Sequence, residues 1–242
     1  MNLFLARMRN RLIRVCHKGK RLHPLARRNL ASLDHIDLSK KARSQRYVVT
    51  DLETTGLDLK RDRVVSIGAL RVVEGRIQLR EIFNRLINPG QYIPPASIKI
   101  HGIVPDMVSE ADSAGEVLDD FMSFLGTDIF VGHHARFDVN FLNKGMSRRY
   151  GIKLQNIVLD TVLLCRTIAF PPHHYPYGID LDNVPSSLDD VAKHFGVDIH
   201  ERHTALGDAL ATAMILQHIL ARAEKTSAGL LRDLVKVGSI RL

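Results

Sequence analysis

The stretch Tyr47-Val48-Val49-Thr50-Asp51-Leu52-Glu53-Thr54-Thr55-Gly56 decides how the rest of this 242-residue chain is read. Its β-branched opening predicts a strand covered on both faces, the first and central one of a sheet, starting at Arg46. Side chains alternate across a strand, so Asp51 and Glu53 project to the same side at its carboxyl end. Two carboxylates so placed repel each other unless a cation sits between them. Hard oxygen ligands on a rigid strand suit Mg²⁺ or Mn²⁺. Gly56 then lets the backbone turn tightly and approach a ligand closely. An Asp-x-Glu pair by itself is usually a solvated strand end; the Thr-Thr-Gly that follows sharpens it.

Downstream, Arg63–Val73, a turn at Glu74-Gly75 and Arg76–Asn88 predict an antiparallel hairpin beside the first strand. Asn88 to Pro95 is a loop, because its prolines and one glycine deny it regular hydrogen bonding. Val117, Leu118, Phe121, Met122 and Leu125 mark a helix, Ile129–Val131 a short buried strand and Phe137–Tyr150 another helix. Ile157–Leu159 is a strand, and Thr161–Ala169, Ser187–Phe195 and Thr204–Ala221 are helices. Strands alternating with helices after an initial meander imply an α/β architecture, a mixed sheet layered by helices.

Two further segments carry chemistry. In Ile129-Phe130-Val131-Gly132-His133-His134-Ala135-Arg136-Phe137-Asp138, a strand ends in glycine, a polar pair turns the chain and Asp138 falls in the first turn of a helix. The helix dipole alone would favour an acid there, but it does not account for the whole strand-turn-helix pattern. In His203-Thr204-Ala205-Leu206-Gly207-Asp208-Ala209-Leu210-Ala211-Thr212-Ala213, alanines recur every four residues, so one helix face is small enough to press on the sheet. Asp208 is then held at the sheet edge beside Asp51, with His203 in the loop just before. Phe137 belongs to the core or offers an edge to a terminal base.

Charge is distributed unevenly. Residues 1–46 hold 13 Lys/Arg against 2 acids, a balance of +11, while the remainder is at −3 with 21 against 24. Nucleic acid or an anionic membrane surface is the natural partner of so basic a segment, a protein surface or mere solubility being the alternatives. Leu5, Met8, Leu12 and Val15 recur at helical spacing among arginines and predict a basic amphipathic helix. His23–Ser44 reads as a linker with weak helical content. The expected division is therefore a basic extension at 1–44, a catalytic domain at 45–222 and a C-terminal helix and tail at 223–242. No apolar run approaches the roughly 18 residues of a membrane span. Cys16 and Cys165 match no disulfide framework or zinc spacing, and neither do His173-His174 with His194 and His200. A reducing, cytoplasmic setting is expected, with an organelle transit role for the Arg-rich start left open. Residues 171–185, rich in His, Pro and Tyr, read as a variable insertion.

The three acidic segments resemble the exonuclease motifs of the histidine-containing branch of the DEDD exonucleases, the DnaQ-like family that includes the DNA polymerase III epsilon subunits. The resemblance runs from Tyr47 to Ala221 and takes in Ile100-His101-Gly102-Ile103, Asp160-Thr161 and Ser187-Leu188-Asp189. It implies a ribonuclease H-like five-stranded sheet ordered 3-2-1-4-5 with strand 2 antiparallel. It also implies 3′→5′ digestion, with Asp51, Glu53, Asp138 and Asp208 as metal ligands and His203 as general base. Thr54, Leu57 and His101 match positions near the terminal nucleotide, His101 having a buried structural role as its alternative. His134 departs from the asparagine common in relatives, which touches loop hydrogen bonding and no metal ligand.

Two divalent cations would activate the attacking water and neutralise the leaving 3′ oxygen. Asp51 is the expected bridge, Glu53 and Asp208 complete the nucleophile side, and Asp138 supports the other ion. His203 must be neutral to accept a proton, so activity should rise across pH 7–8. The expected substrate is a single-stranded or frayed 3′ end of DNA, in proofreading or trimming, with a polymerase partner unidentified. RNA trimming is the alternative substrate reading, and a non-catalytic nucleic-acid-binding accessory protein the alternative class.

Overall fold

The computed structural model describes residues 3–16, 22–34, 36–169 and 185–240. The sheet is ordered β3-β2-β1-β4-β5, with β1 at Arg46–Thr54, β2 at Val64–Val73, β3 at Arg76–Leu86, β4 at Ile129–Gly132 and β5 at Val158–Asp160. β2 runs antiparallel to β1 and β3, whereas β1, β4 and β5 are mutually parallel. Order and direction are those the motifs implied. The central position of β1 follows from its composition: Tyr47, Val48, Val49 and Thr50 are all buried, which requires cover on both faces.

Alternation along β1 divides the core. Tyr47 and Val49 pack under α8 (Leu188–Phe195), α9 (Ala205–Glu224) and α10 (Leu231–Gly238), while Val48 and Leu52 pack against α5 (Ala114–Leu125) and α6 (Arg136–Tyr150). Asp51 and Glu53 continue the row of Tyr47 and Val49 and so emerge on the α9 side. α5 starts where the sequence permits it, at a capping box in which Ser113 and Glu116 satisfy each other's backbone N–H groups. Two short helices, α3 (Pro95–His101) and α4 (Pro105–Val108), stand where a loop was expected or nothing was assigned, each with proline in its first turn. Proline is tolerated there because that N–H has no helical partner anyway. α7 (Thr161–Leu164) continues into a single π-helical turn at Cys165–Ala169.

The N-terminal reading needs correction. Residues 22–44 are not a linker: within them α2 (Pro24–Leu30) buries Ala26 and Leu30 against the α5/α6 layer, and Leu33 and Ala42 join the α9 layer. Asn29 donates to Asn156 Oδ1 and accepts from the Gln155 backbone N–H at 3.0 Å. Burying each large aliphatic residue here contributes about 1.5–3 kcal/mol, so the segment belongs to the folded body. Its polar composition concealed this, because its apolar residues are few and follow no sustained period. In α1 (Leu3–Cys16), Ala6 and Ile13 face the body, whereas Met8 and Leu12, from the anticipated apolar stripe, are 46% and 60% exposed. At the other end, α10 buries Leu231, Leu234 and Val235 and is tied to the sheet through Ile240 N–H to Val158 O. Residues 171–184, including His173 and His174 of the insertion, lie outside the described residues. No helix among those described is long and apolar enough to cross a membrane.

Candidate active site

Three elements bring acids to the carboxyl edge of the sheet. At the end of β1, Asp51 lies opposite Gly68 and Glu53 opposite Ser66 of β2, with the ladder shifting register just after Glu53. α9 begins over this edge, capped by the Thr204 hydroxyl, which accepts from the Gly207 N–H at 3.0 Å, and places Asp208 in its first turn. The small face of α9 works as its spacing predicts, since Ala205, Ala209 and Ala213 are all buried. Its close approach depends on the strand beneath: a Cβ on Gly68 would fall 2.2 Å from the backbone of Ala205 and Leu206. A glycine inside a strand is a mark of such an approach.

The loop before α9 folds back over the helix start. A Cβ on Gly207 would meet the Glu201 carbonyl at 2.0 Å, so that fold needs glycine there. It also forces His203 to φ 63°, a left-handed conformation that costs a non-glycine residue on the order of 1 kcal/mol or more. In return the His203 N–H donates to Asp208 Oδ1 at 3.3 Å and the imidazole stands at the rim of the site.

Ligand oxygens of Asp51, Glu53 and Asp208 all lie within 4.8 Å of one another. Asp138, in the first turn of α6, is buried outside that trio; among charged groups it raises the Asp51 pKa the most. The fourth acid therefore faces Asp51 without joining the tight set. Asp160, at the end of β5, stands near Asp138 while its side chain caps α7 through the Val162 N–H at 2.9 Å.

Burial first, then repulsion from Asp138, Asp208 and Glu53, holds the Asp51 carboxyl well above the usual range; Asp138 is raised chiefly by burial, with Asp160 and Glu53 adding to it against its backbone hydrogen bonds. The same causes, with Asp208 as the repelling neighbour, push Glu53 up to about 8. Asp208 and Asp160 are raised chiefly by burial. Arg202 works in the opposite direction, lowering Asp51, Glu53 and Asp208. Its guanidinium bridges Asp208 and Asp189, the latter at 2.9 Å. A cluster of carboxylates that resists ionisation in isolation, with one arginine against it, is short of positive charge. The tight set offers only oxygen, without thiolate or imidazole, a donor chemistry that fits hard divalent cations such as Mg²⁺ or Mn²⁺.

The remaining expected residues take different positions. The His203 ring is exposed, with Nδ1 3.3 Å from Arg202 Nη1. An arginine only donates, so a hydrogen bond here would need Nδ1 as its acceptor. Leu57, beyond β1, is 84% exposed, whereas the Thr54 side chain is buried and donates to the Gly56 carbonyl at 2.7 Å. Phe137 packs on Phe141 and lines a cleft with His134 and Asp160. His101 is buried, Nδ1 accepting from the Ile103 N–H at 3.0 Å, with the Thr54 backbone acting on the same ring.

Arg202 was not among the expected site residues, although its place beside His203 was the available signal. His134 takes up loop hydrogen bonding: both it and His133 approach the Ser186 carbonyl through Nε2 at 2.9 Å. Burial keeps His133 neutral by lowering its pKa to about 4.

The exonuclease family model matches residues 48–216, which contain every one of these acids and His203. The chain belongs to this exonuclease family. Among its relatives, the DNA polymerase III epsilon subunit of Aquifex aeolicus is 37% identical over 174 residues, 72% of this chain and 80% of that protein. An epsilon-like protein of Rhodobacter capsulatus is 37% identical over 201 residues, 80% of this chain but 27% of its own length. A PolC-type DNA polymerase III of Clostridium perfringens is 39% identical over 171 residues, 71% of this chain and 11% of the polymerase. The chain thus spans about a tenth to a quarter of these two longer proteins. The fold is shared with E. coli exonuclease I bound to dT13 (TM-score 0.61, 18% identity, 75% of this chain and 42% of that one). It is shared as well with exonuclease X bound to a 5′-overhanging duplex (TM-score 0.55, 22% identity, 78% and 99%). Members of such a family depend on divalent metal, for which the acidic centre provides the ligands.

Proposed function

We propose that this protein is a 3′→5′ exonuclease that uses two Mg²⁺ or Mn²⁺ ions to remove nucleoside 5′-monophosphates from a single-stranded or frayed DNA 3′ end. The observation that carries the reading is the meeting of Asp51, Glu53 and Asp208 within one ligand sphere, with Asp138 facing Asp51 from α6. When bound there, divalent cations supply a lowered pKa for the attacking water and positive charge against the leaving oxygen. Asp51, a member of the trio that also faces Asp138, would serve both ions; Glu53 and Asp208 would hold the first and Asp138 the second.

His203 is the proton acceptor in this reading. It lies five residues from Asp208 on a loop locked by Gly207 and is solvent-reachable, so a proton it takes can leave. Arg202 has to release its nitrogen and Asp208, and it retains Asp189 as a partner when it does. Leu57 offers an exposed apolar surface to the terminal base and Phe137 an aromatic wall, while Thr54 shapes the loop between them. His101 is placed to support that loop from beneath. The epsilon-type relatives favour DNA and a polymerase partner. A cytoplasmic location is proposed from the sequence alone.

A digestion series settles substrate and chemistry together. Matched single-stranded DNA, RNA and 3′-mismatched duplex are incubated with Mg²⁺ or Mn²⁺, with Asp51→Ala as control. Release of deoxynucleoside monophosphates from the first and third is expected. Preferential loss of RNA would move the assignment to RNA trimming, and affinity without release in either metal would leave a binding protein.

A further inference from the structure

The chain from residue 47 onward carries a slight acid excess, yet one face of it gathers cations. A cleft of about 500 Å³ runs between α6 and the loop that follows the first motif, and its lining includes Lys60, Arg136, Asn140, Lys144, Arg148 and Lys153 without a carboxylate. On α6, positions 136, 140, 144 and 148 recur every four residues and form one stripe. That stripe starts two residues before Asp138, and Arg136 and Asn140 also line the cleft that holds Phe137 and Asp160. Both walls therefore originate at the acidic centre.

Lys144 shows that the groove is built. Its ammonium group donates to the carbonyls of Leu59 at 2.5 Å, Lys60 at 3.2 Å and Asp62 at 2.9 Å, fixing the loop to the helix. The acids of that loop are engaged within the loop itself: Asp62 accepts from the Thr55 hydroxyl at 2.9 Å, and Asp58, which stays exposed, accepts from the Lys60 N–H at 2.8 Å and pairs with Arg61 at 3.8 Å. Among the described residues Lys60, Arg136, Arg148 and Lys153 have no carboxylate at ion-pair distance. Burial first, then the neighbouring Arg63 and Arg148, lowers the Lys144 pKa, with Asp58 and Asp62 working the other way.

We infer that this groove is the track for the phosphodiester backbone of the single DNA strand that leads 5′-ward from the cleaved end, an inference that rests on the exonuclease reading of the acidic centre. Arg136 to Arg148 spans about 18 Å at 1.5 Å per helical residue. At the roughly 3.4 Å rise of a stacked strand that distance accommodates about five phosphates, and fewer in an extended one. The exposed amide of Asn140 and hydroxyl of Ser147 between the cations can meet sugar and phosphate oxygens without reading sequence.

The test is equilibrium binding of fluorescein-labelled dT15 and dT3, without added metal, over a series of salt concentrations. Arg148→Ala/Lys153→Ala is expected to weaken dT15 binding about tenfold and to flatten its log–log salt slope by about 1.4, roughly 0.7 for each lost contact to a single strand. Binding of dT3, which is too short to reach those residues, is expected to change less than twofold. Arg80→Ala/Lys225→Ala removes equal charge from the β3 side and is the control expected to leave the slope in place. Should the first pair prove unfolded, Lys60→Ala/Arg136→Ala probes the same groove nearer the site. Equal losses from groove and control pairs, or none from either, would overturn the inference. Wild-type protein whose dT15 affinity depends on the groove but which releases no nucleotide with Mn²⁺ would remove the hydrolytic reading alone. Intact hydrolysis with salt slopes that ignore the groove would remove the track alone.

Discussion

Helix α6 borders two regions of opposite sign, and they are built on opposite principles. Its first turn puts Asp138 into a buried centre where carboxylates crowd one another and burial works against their charge. Its outward stripe puts Arg136 and Arg148 along an open groove braced by Lys144, where water screens each exposed cation. Charges in the first region are few, strongly coupled and individually indispensable; those in the second are interchangeable and act by their number. Chemistry belongs to the first kind of arrangement and sequence-independent affinity to the second.

The hardest test of that contrast is Asp51→Asn. Turnover should fall about 10³-fold or more, since several kcal/mol of transition-state stabilisation go with the bridging carboxylate. Single-strand affinity should stay within a few-fold. Melting temperature in EDTA should rise, because a buried repulsion is relieved. An unchanged or lower value there would show that Asp51 is not strained by its neighbours. Next in size, His203→Ala should cost about 10²-fold in kcat, while the stabilisation conferred by Mn²⁺ persists. Loss of that stabilisation would assign His203 to the metal site instead. The groove pair described above, at about tenfold in affinity, is the corresponding blow to the second region.

A milder measurement probes the acidic centre without mutation. Glu53 has its pKa raised from the ordinary 4.5 to about 8 in the folded state. Between those values the folded protein binds more protons than the unfolded chain, so stability falls as pH rises across the window. Melting in EDTA should therefore be higher at pH 5.5 than at pH 8, and Mg²⁺ should remove most of the difference by taking the place of the protons. A melting temperature that climbed with pH in EDTA would contradict the electrostatics derived for the site.

The two regions also differ in how far the sequence disclosed them. The acids were legible because each sits in a local pattern with a mechanical reason: a strand end for Asp51 and Glu53, a strand-turn-helix for Asp138, an alanine face for Asp208. The sheet order came from family resemblance, and the structure agrees with it. Arg202, Gly68 and the groove were not legible, since each acts across distance. Gly68 matters through Ala205 and Leu206, more than 130 residues later, and Lys60 meets Arg148 only when the loop and α6 lie side by side. Net charge pointed to the basic N-terminal segment as a surface for nucleic acid, membrane or protein, and in one dimension nothing tells which of its arginines have partners within the fold.

In the structure some of those arginines have partners. Arg7 donates from Nε to the Leu33 carbonyl at 2.8 Å and from its terminal nitrogen to that of Ile36, and Arg9 reaches the Gln155 side chain at 2.7 Å. A guanidinium committed to two carbonyls stabilises the fold and has little left for a phosphate. Arg7→Ala should therefore lower the melting temperature by a few degrees, as expected for about 1–3 kcal/mol of charged hydrogen bonding in a chain of this size. The salt slope for dT15 should not move, since no counterion is released at a cation that stays bound to its own protein. A slope smaller by about 0.7 would show instead that Arg7 leaves those carbonyls for the nucleic acid. The N-terminal helix would then extend the cationic region rather than merely brace the body beneath it.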